Sequence, residues 1–239
     1  MLDVRRTHVT CQARFGGYMI REGEFYELLM TKTKAGSGGP PKFELIAGNV
    51  CLDLINTLDD RSSAEPKELL TNYDELARFG EDAGILTAEQ LDSLVERVRL
   101  LPDEAEEALR RARNLREALY AIFSALMTKQ TAPQAAMERL NANIHNAALH
   151  SRLVQRAARC EWRFDDLTSA LDAMLWPIVR AAGDLLASSD LALVRACSSP
   201  TCQWLFLDTS KNHQRRWCSM KQCGNRAKVR RFYAKRKTA

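Results

Sequence analysis

Four cysteines near the C-terminal end of the sequence have the spacing of a metal site. Cys197 and Cys202 form one pair and Cys218 and Cys223 a second, each with four residues between its members. Four thiolates close the tetrahedral shell of a structural zinc ion and leave no position for a substrate. The pattern therefore predicts a structural zinc site, with two disulfides or unrelated buried thiols as alternatives. His213, between the pairs, is an alternative ligand to one thiolate.

The residues around these cysteines resemble the CGNR zinc-finger family. The resemblance rests on WLFLDTSKN at 204–212, RRWC at 215–218 and the run CGNR at 223–226, and it spans residues 195–236. It implies zinc as the cofactor. It also implies a bacterial DNA-binding protein, an inference that for the family itself rests largely on basic residues.

The charge of the 239-residue chain is unevenly distributed. The net charge is +5, but from Arg195 onward twelve Lys and Arg stand against one acid, Asp208. The residues before Arg195 then carry a net charge of −6. A basic tail on an acidic body indicates a polyanionic partner.

The terminal basic segment predicts a helix that contacts nucleic acid. At about 100° per residue, Ala227 and Ala234 lie between two basic rows, opposite a stripe of Val229, Phe232 and Tyr233. We expect the stripe to pack on the zinc core and the alanines to let the helix approach phosphates closely. A solubilising basic face is the alternative. The predicted contacts are Arg215, Arg216, Arg226, Lys228, Arg230, Arg231 and Lys235.

Double-stranded DNA is the expected partner, because the aromatic residues of this segment have a role in a small zinc core. Binders of single-stranded RNA present exposed aromatic platforms instead. The alternative is an RNA-binding or protein-interaction zinc module without DNA specificity. No phosphate loop, nucleophile elbow or second metal cluster is present in the sequence, which predicts no enzyme.

The sequence predicts three parts. Residues 1–42 end in a Gly-, Ser- and Pro-rich stretch and are expected to be a disordered extension and linker. Residues 43–190 are expected to form a helical domain that senses an effector or dimerises, and residues 191–239 the zinc finger. No run is apolar enough for a transmembrane helix or signal peptide, so a cytoplasmic location is expected.

The start of the helical domain resembles the opening of the ABATE domain, described as a stress-induced transcription regulator. The resemblance rests on CLDLINTL at 51–58. There Asp53, Asn56 and Thr57 lie together along one side of a predicted helix. Two interpretations are open: an effector pocket, or a buried polar network that holds the helix in place.

The expected fold is mainly α, with a small β-hairpin in a multihelical domain and a treble-clef-like or ribbon-like finger that ends in a basic helix. A short strand is predicted at 43–50, before the helix at 51–58. Thr71 is predicted to cap the next helix, a Thr87–Gln90 capping box to begin another, and Pro102 to open a third. The remaining predictions are a helix at 133–149, a hairpin at 152–164, and a helix at 167–187 that Pro177 kinks or interrupts.

Overall fold

The structure is a computed structural model and describes residues 42–237, apart from the side chains of Lys235 and Lys237. The described residues belong to one compact unit. The extension and linker predicted for residues 1–42 lie outside this range, except for Lys42. The amide of Lys42 donates a 3.0 Å hydrogen bond to Asp82.

The body of the protein is helical, which confirms the mainly α fold class. The longest helix, α4, packs against α1, α2 and α5, and α6 packs against α1 and α5. This arrangement places the short helix α1 between two long ones. The helices of the body are α1 (Val50–Ile55), α2 (Tyr73–Asp82), α3 (Ala88–Val98), α4 (Pro102–Met127), α5 (Gln134–Leu149) and α6 (Leu175–Ala187).

Three antiparallel hairpins accompany the helices in the described residues. The predicted hairpin is confirmed, with Leu153 paired to Trp162. The strands are β1 (Leu58–Asp59) with β2 (Lys67–Glu68), β3 (Ser151–Arg156) with β4 (Arg159–Phe164), and β5 (Val194–Ala196) with β6 (Leu205–Leu207).

The zinc-finger segment consists of short elements. A 3₁₀ turn (Ser189–Leu193) leads into β5, and β6 follows the first cysteine pair. A π-helical turn (Met220–Gly224) then runs into the terminal helix α7 (Asn225–Lys237). One cysteine pair thus lies at a hairpin and the other at the start of a helix, an arrangement of the treble-clef kind.

Two of the three predicted helix starts are confirmed and one is wrong. Both hydrogen bonds of the Thr87–Gln90 capping box form, since each side chain accepts from the backbone amide of the other residue. Pro102 occupies the first turn of α4. However, α2 is capped by Asn72 rather than Thr71. The Asn72 side chain accepts a 3.0 Å hydrogen bond from the amide of Glu75, which satisfies a donor left unpaired at the helix start.

The strand predicted at 43–50 does not form, because its backbone groups have other partners. The amide of Ala47 donates to Asp53 Oδ1 at 2.9 Å, and its carbonyl accepts from the amide of Leu207 at 2.7 Å. Gly48 has a φ of +79°, and Asn49 caps α1 by accepting from the amide of Cys51 at 3.0 Å. The segment is therefore held by α1 and the finger.

The helix predicted at 167–187 is shorter than expected, so Pro177 does not kink or interrupt its middle. α6 begins at Leu175, so Pro177 lies in the first turn, where a missing N–H breaks no intrahelical bond. Next to it, the buried Trp176 stacks on His150 with ring centroids 4.0 Å apart.

The body and the finger share one apolar core. In the body, Leu52 on α1 and Phe123 on α4 are fully buried. In the finger, Leu205 and Phe206 on β6 are equally buried and belong to the same cluster. The hairpin that carries the first cysteine pair is thus built against α1 of the body.

Candidate metal centre and nucleic-acid interface

The four cysteines meet at one point in the finger. Their sulfur atoms all lie within 4.8 Å of one another and all four residues are buried. The Sγ atoms of Cys202 and Cys218 are 3.6 Å apart, and those of Cys218 and Cys223 are 3.7 Å apart. Ligands at about 2.3 Å in a tetrahedron place neighbouring sulfurs about 3.8 Å apart, so the cluster fits zinc. Within residues 42–237 no other group of this kind is found.

Backbone hydrogen bonds position the two cysteine pairs. The amide of Cys197 donates to the carbonyl of Trp204 at 2.8 Å, which closes the hairpin around the first pair. The amide of Ser198 donates to the carbonyl of Arg216 at 2.8 Å and ties the first pair to the segment before the second. Ser219 begins the π-helical turn, where the amide of Gly224 donates to its carbonyl at 3.0 Å.

The thiols of this cluster perturb one another. Hydrogen bonds from Cys202 and Cys218 lower the pKa of Cys197 well below the ordinary value of a thiol. Because they donate to Cys197, the pKa values of Cys202 and Cys218 lie above the ordinary range. Four thiolates at this distance repel one another, so a cation is needed before all can ionise together.

Arg226 of the CGNR run bonds to the cluster itself. Its Nη2 donates to the Sγ of Cys223 at 3.2 Å, and this hydrogen bond raises the pKa of Arg226 further above its usual value. A charged donor on a metal-bound thiolate orients the ligand and offsets its negative charge. Arg226, which was predicted as a nucleic-acid contact, thus lies beside the metal centre and is exposed as well.

Asp208 fixes the loop between the cysteine pairs. It is fully buried, and its Oδ1 accepts from the amide and hydroxyl of Ser210 at 3.1 and 2.5 Å. Its Oδ2 accepts from the amide of Arg215 at 2.8 Å. Burial acts to raise the pKa of Asp208, but these hydrogen bonds keep it below the ordinary value. His213 Nδ1 lies 2.9 Å from the Asp208 carbonyl, so His213 serves this loop and lies outside the cysteine cluster.

Arg215 also has an internal role. Its Nε donates to the carbonyl of Trp217 at 2.9 Å, and its Nη2 donates to the carbonyl of Cys218. The guanidinium lies 4.4 Å from the ring centroid of the buried Phe206. Arg215 therefore braces the second cysteine pair, although the sequence predicted it as a nucleic-acid contact. Its neighbour Arg216 is exposed.

The polar residues of α1 link the body to the finger. Asn56 Nδ2 donates to the carbonyl of Leu205 at 2.9 Å, and Asn56 Oδ1 accepts from the amide of Leu205 at 2.9 Å. The side chain thus pairs with β6 as a neighbouring strand would. The Thr57 hydroxyl donates to the carbonyl of Leu54 at 2.7 Å and lies 3.3 Å from Nη1 of the buried Arg116. These contacts supply the structural network that was one of the two interpretations.

Asp53, the third member of that predicted cluster, borders a small cleft between body and finger. The cleft has a volume of about 10 Å³ and is also lined by Phe43, Leu69 and Trp204, so it has room for about one water molecule. Burial raises the pKa of Asp53 to about 7, although the amide of Ala47 opposes this shift. Trp204 Nε1 is buried without a hydrogen-bond partner among the described residues.

The orientation of α7 differs from the prediction. Ala227 is buried, whereas Val229, Phe232 and Tyr233 are 53%, 56% and 60% exposed. The expected packing of this stripe on the zinc core is therefore wrong. α7 contacts the π-helical turn that precedes it, and its residues 228–234 are exposed.

The basic residues predicted on α7 are mostly free of the zinc core. Lys228, Arg230 and Arg231 are exposed along the helix, and α7 contains no acidic residue. The side chain of Lys235 lies outside the described part of the chain. The sequence located the basic surface, but it gave no signal that Arg226 would turn back to a cysteine.

The fold and the cysteine cluster define a class of protein in which a helical body carries a treble-clef-like zinc finger. Residues 48–189 match the family model ABATE, described as "Putative stress-induced transcription regulator", and residues 194–236 match the CGNR zinc finger. Because the first match covers more than half of the chain, the protein belongs to the ABATE family. No curated protein matches it.

These matches confirm both family resemblances, and together with the clustered cysteines they establish zinc as the cofactor. Neither matched family is a family of enzymes: one is described as regulatory and the other as a zinc finger. Among the described residues, no helix combines the length and the apolar character needed to cross a membrane.

Proposed function

We propose that the protein is a bacterial transcription regulator that binds double-stranded DNA through its zinc finger. The observation that carries the proposal is α7, a helix without acidic residues that leaves the zinc core with its basic side chains exposed. Such a surface neutralises phosphates and releases condensed counterions. Membership of a family described as transcription regulators supports the same function.

In this proposal, zinc holds the base of α7 in place. The ligands would be the four clustered cysteines, and the closed thiolate shell would give the ion a structural role only. Arg215 and Arg226 would support the metal centre through their hydrogen bonds to Cys218 and Cys223. The DNA contacts would then come from the exposed residues Arg216, Lys228, Arg230 and Arg231, with Lys235 further along the helix.

The body, taken as residues 43–190, would regulate the finger, taken as residues 191–239. Its means would be α1, since Asn56 holds β6 directly and Asp53 holds Ala47, which in turn accepts from Leu207. A small-molecule effector of the body would act by changing these contacts. A body that dimerises is the second form of this proposal.

Salt dependence of duplex binding tests the proposed function. Affinity should fall with salt at a log–log slope of roughly −0.9 for each phosphate contact. Replacing Lys228 and Arg230 together by alanine should flatten that slope by about two. The matched control replaces Arg99 and Arg139, two exposed arginines of the body, and should leave the slope unchanged. An unchanged slope in the first variant would remove α7 from the binding surface.

The alternative function is an RNA-binding or protein-interaction module, and one observation favours its RNA form. Phe232 and Tyr233 are exposed, and exposed aromatic rings are a feature of surfaces that stack unpaired bases. The same titration with single-stranded RNA of matched length separates the two. Tighter binding to RNA than to duplex DNA would replace the leading proposal.

A further inference from the structure

The exposed apolar side chains of α7 form a stripe, defined here as Val229, Phe232 and Tyr233. At about 100° per residue, all three lie within roughly 60° of the direction opposite Ala227. Ala227 is the residue of α7 that faces the zinc core. The stripe therefore points away from the protein, along with Arg236, whose guanidinium lies 5.5 Å from the ring centroid of Phe232.

The rings of the stripe contact each other and no larger core. The centroids of Phe232 and Tyr233 are 5.6 Å apart with the ring planes at 77°. More than half of each side chain is nevertheless exposed. Contiguous exposed apolar surface of this kind marks an interaction site rather than an ordinary solvated face.

Positive charge lies on both sides of the stripe. Lys228 and Arg230 are exposed and lie at roughly 90° and 110° from its centre, in opposite directions around the helix. A second copy of α7 would bring like charges together at such a contact. A DNA groove has the complementary form, since two phosphate backbones flank the base edges and the major groove, about 12 Å wide, admits an α-helix.

From this geometry we infer that the stripe is the base-reading face of α7, and that it recognises the 5-methyl groups of thymines in the major groove of duplex DNA. The inference rests on the proposed function and adds its sequence preference. Apolar side chains distinguish bases in that groove by contact with the thymine methyl group. The two basic sides would meanwhile hold the phosphates of the two strands, which positions the helix without reading sequence.

The test begins with selection of bound duplexes from random sequence by the full-length, zinc-loaded protein. Each thymine of the selected site is then replaced by deoxyuridine, which lacks only the 5-methyl group. At one or more positions affinity should fall roughly fourfold, the effect of one lost methyl burial. In Phe232→Ala or Tyr233→Ala protein, the difference between thymine and uracil at that position should disappear. Leu149→Ala, an exposed leucine on α5, is the matched control and should retain it.

The other outcomes overturn the inference in distinguishable ways. Salt-dependent duplex binding without any effect of deoxyuridine would reject methyl recognition but keep the proposed function. Tighter binding to the single strand, lost in Phe232→Ala, would mean that the rings stack on unpaired bases. A dimer that dissociates on the same substitution would make the stripe a contact between copies. Absence of duplex binding would reject the proposed function and this inference together.

Discussion

The helical body and the zinc finger differ in the source of their stability. The body buries large side chains against each other, such as Leu115, Leu119 and Phe123 of α4. The finger has one fully buried aromatic residue, Phe206, together with smaller apolar residues such as Leu205 and Val194 and the four cysteines. A segment this small rarely folds on apolar burial alone, and structural metal ions are one remedy. The finger thus depends on zinc and on the surface of α1, whereas the interior of the body is filled by its own side chains.

Removing a zinc ligand should have the largest effect, because it should unfold the finger and leave the body folded. Structural zinc contributes on the order of 10 kcal/mol to the folding of a small module. Cys218→Ser should therefore lower bound zinc from one ion per chain, and hydrogen exchange should show loss of protection in β5, β6 and α7. Helicity of the body should largely remain. Cys160→Ser, at an exposed cysteine of β4, is the control.

Full zinc occupancy and an ordered finger in Cys218→Ser protein would contradict the dependence on the metal. Loss of helicity throughout the chain would contradict the independence of the body. The sequence predicts residues 43–190 as a helical domain distinct from the finger, and this outcome bears directly on that prediction.

The contact between the two regions should respond to a smaller change at Asn56. Asn56→Ala would leave the amide and carbonyl of Leu205 buried without their partner. An unsatisfied buried group costs about 1–3 kcal/mol, so unfolding by denaturant should show a loss of roughly 2–4 kcal/mol. Asn143→Ala is the matched control, because Asn143 donates only to the carbonyl of Arg139 on an exposed face of α5.

Which part of the protein Asn56→Ala destabilises is as informative as the size of the stability loss. If body and finger form one cooperative unit, tryptophan fluorescence and far-ultraviolet circular dichroism should give the same shifted transition. Two separate transitions would show that the contact is dispensable for the body. A loss no greater than that of Asn143→Ala would remove Asn56 from the interface.

Local patterns in the sequence predicted the parts of the fold that depend on local chemistry. The two residues of the capping box at Thr87, and the two residues of each cysteine pair, are only a few positions apart. The sequence therefore shows which residues act together. Asn56 and Leu205 are far apart in the chain, and only the fold shows that an asparagine side chain pairs with a strand. The sequence could therefore propose a polar network without naming its partner.

The orientation of α7 was predicted wrongly for a related reason. A helical wheel shows that Val229, Phe232 and Tyr233 share one side, but it does not show where the core lies. An apolar side is ordinarily the buried one. Here the zinc cluster is small, only the first turns of α7 reach it, and Ala227 fills the contact. The rule that the apolar side of a helix is buried therefore fails for α7.

The smallest expected effects are those of alanine substitutions at two glycines, one in the body and one in the CGNR run of the finger. Gly48 has a φ of +79°, a conformation that costs a residue with a Cβ about 1–2 kcal/mol. Gly224 has no such φ, and a Cβ there would meet Met220 Sδ at 2.8 Å. Because Met220 is 54% exposed, its flexible end can move aside.

We therefore expect Gly48→Ala to destabilise the protein by about 1–2 kcal/mol and Gly224→Ala by less than about 1 kcal/mol. Denaturant unfolding of zinc-loaded protein measures both. Gly183→Ala is the control, since its Cβ would lie 3.6 Å from Ile144 in ordinary contact. If Gly224→Ala costs more than Gly48→Ala, Met220 is held rigidly, and the turn before α7 is packed as tightly as the body. That result would mean that the finger, despite its small core, tolerates side-chain changes no better than the helices to which it is joined.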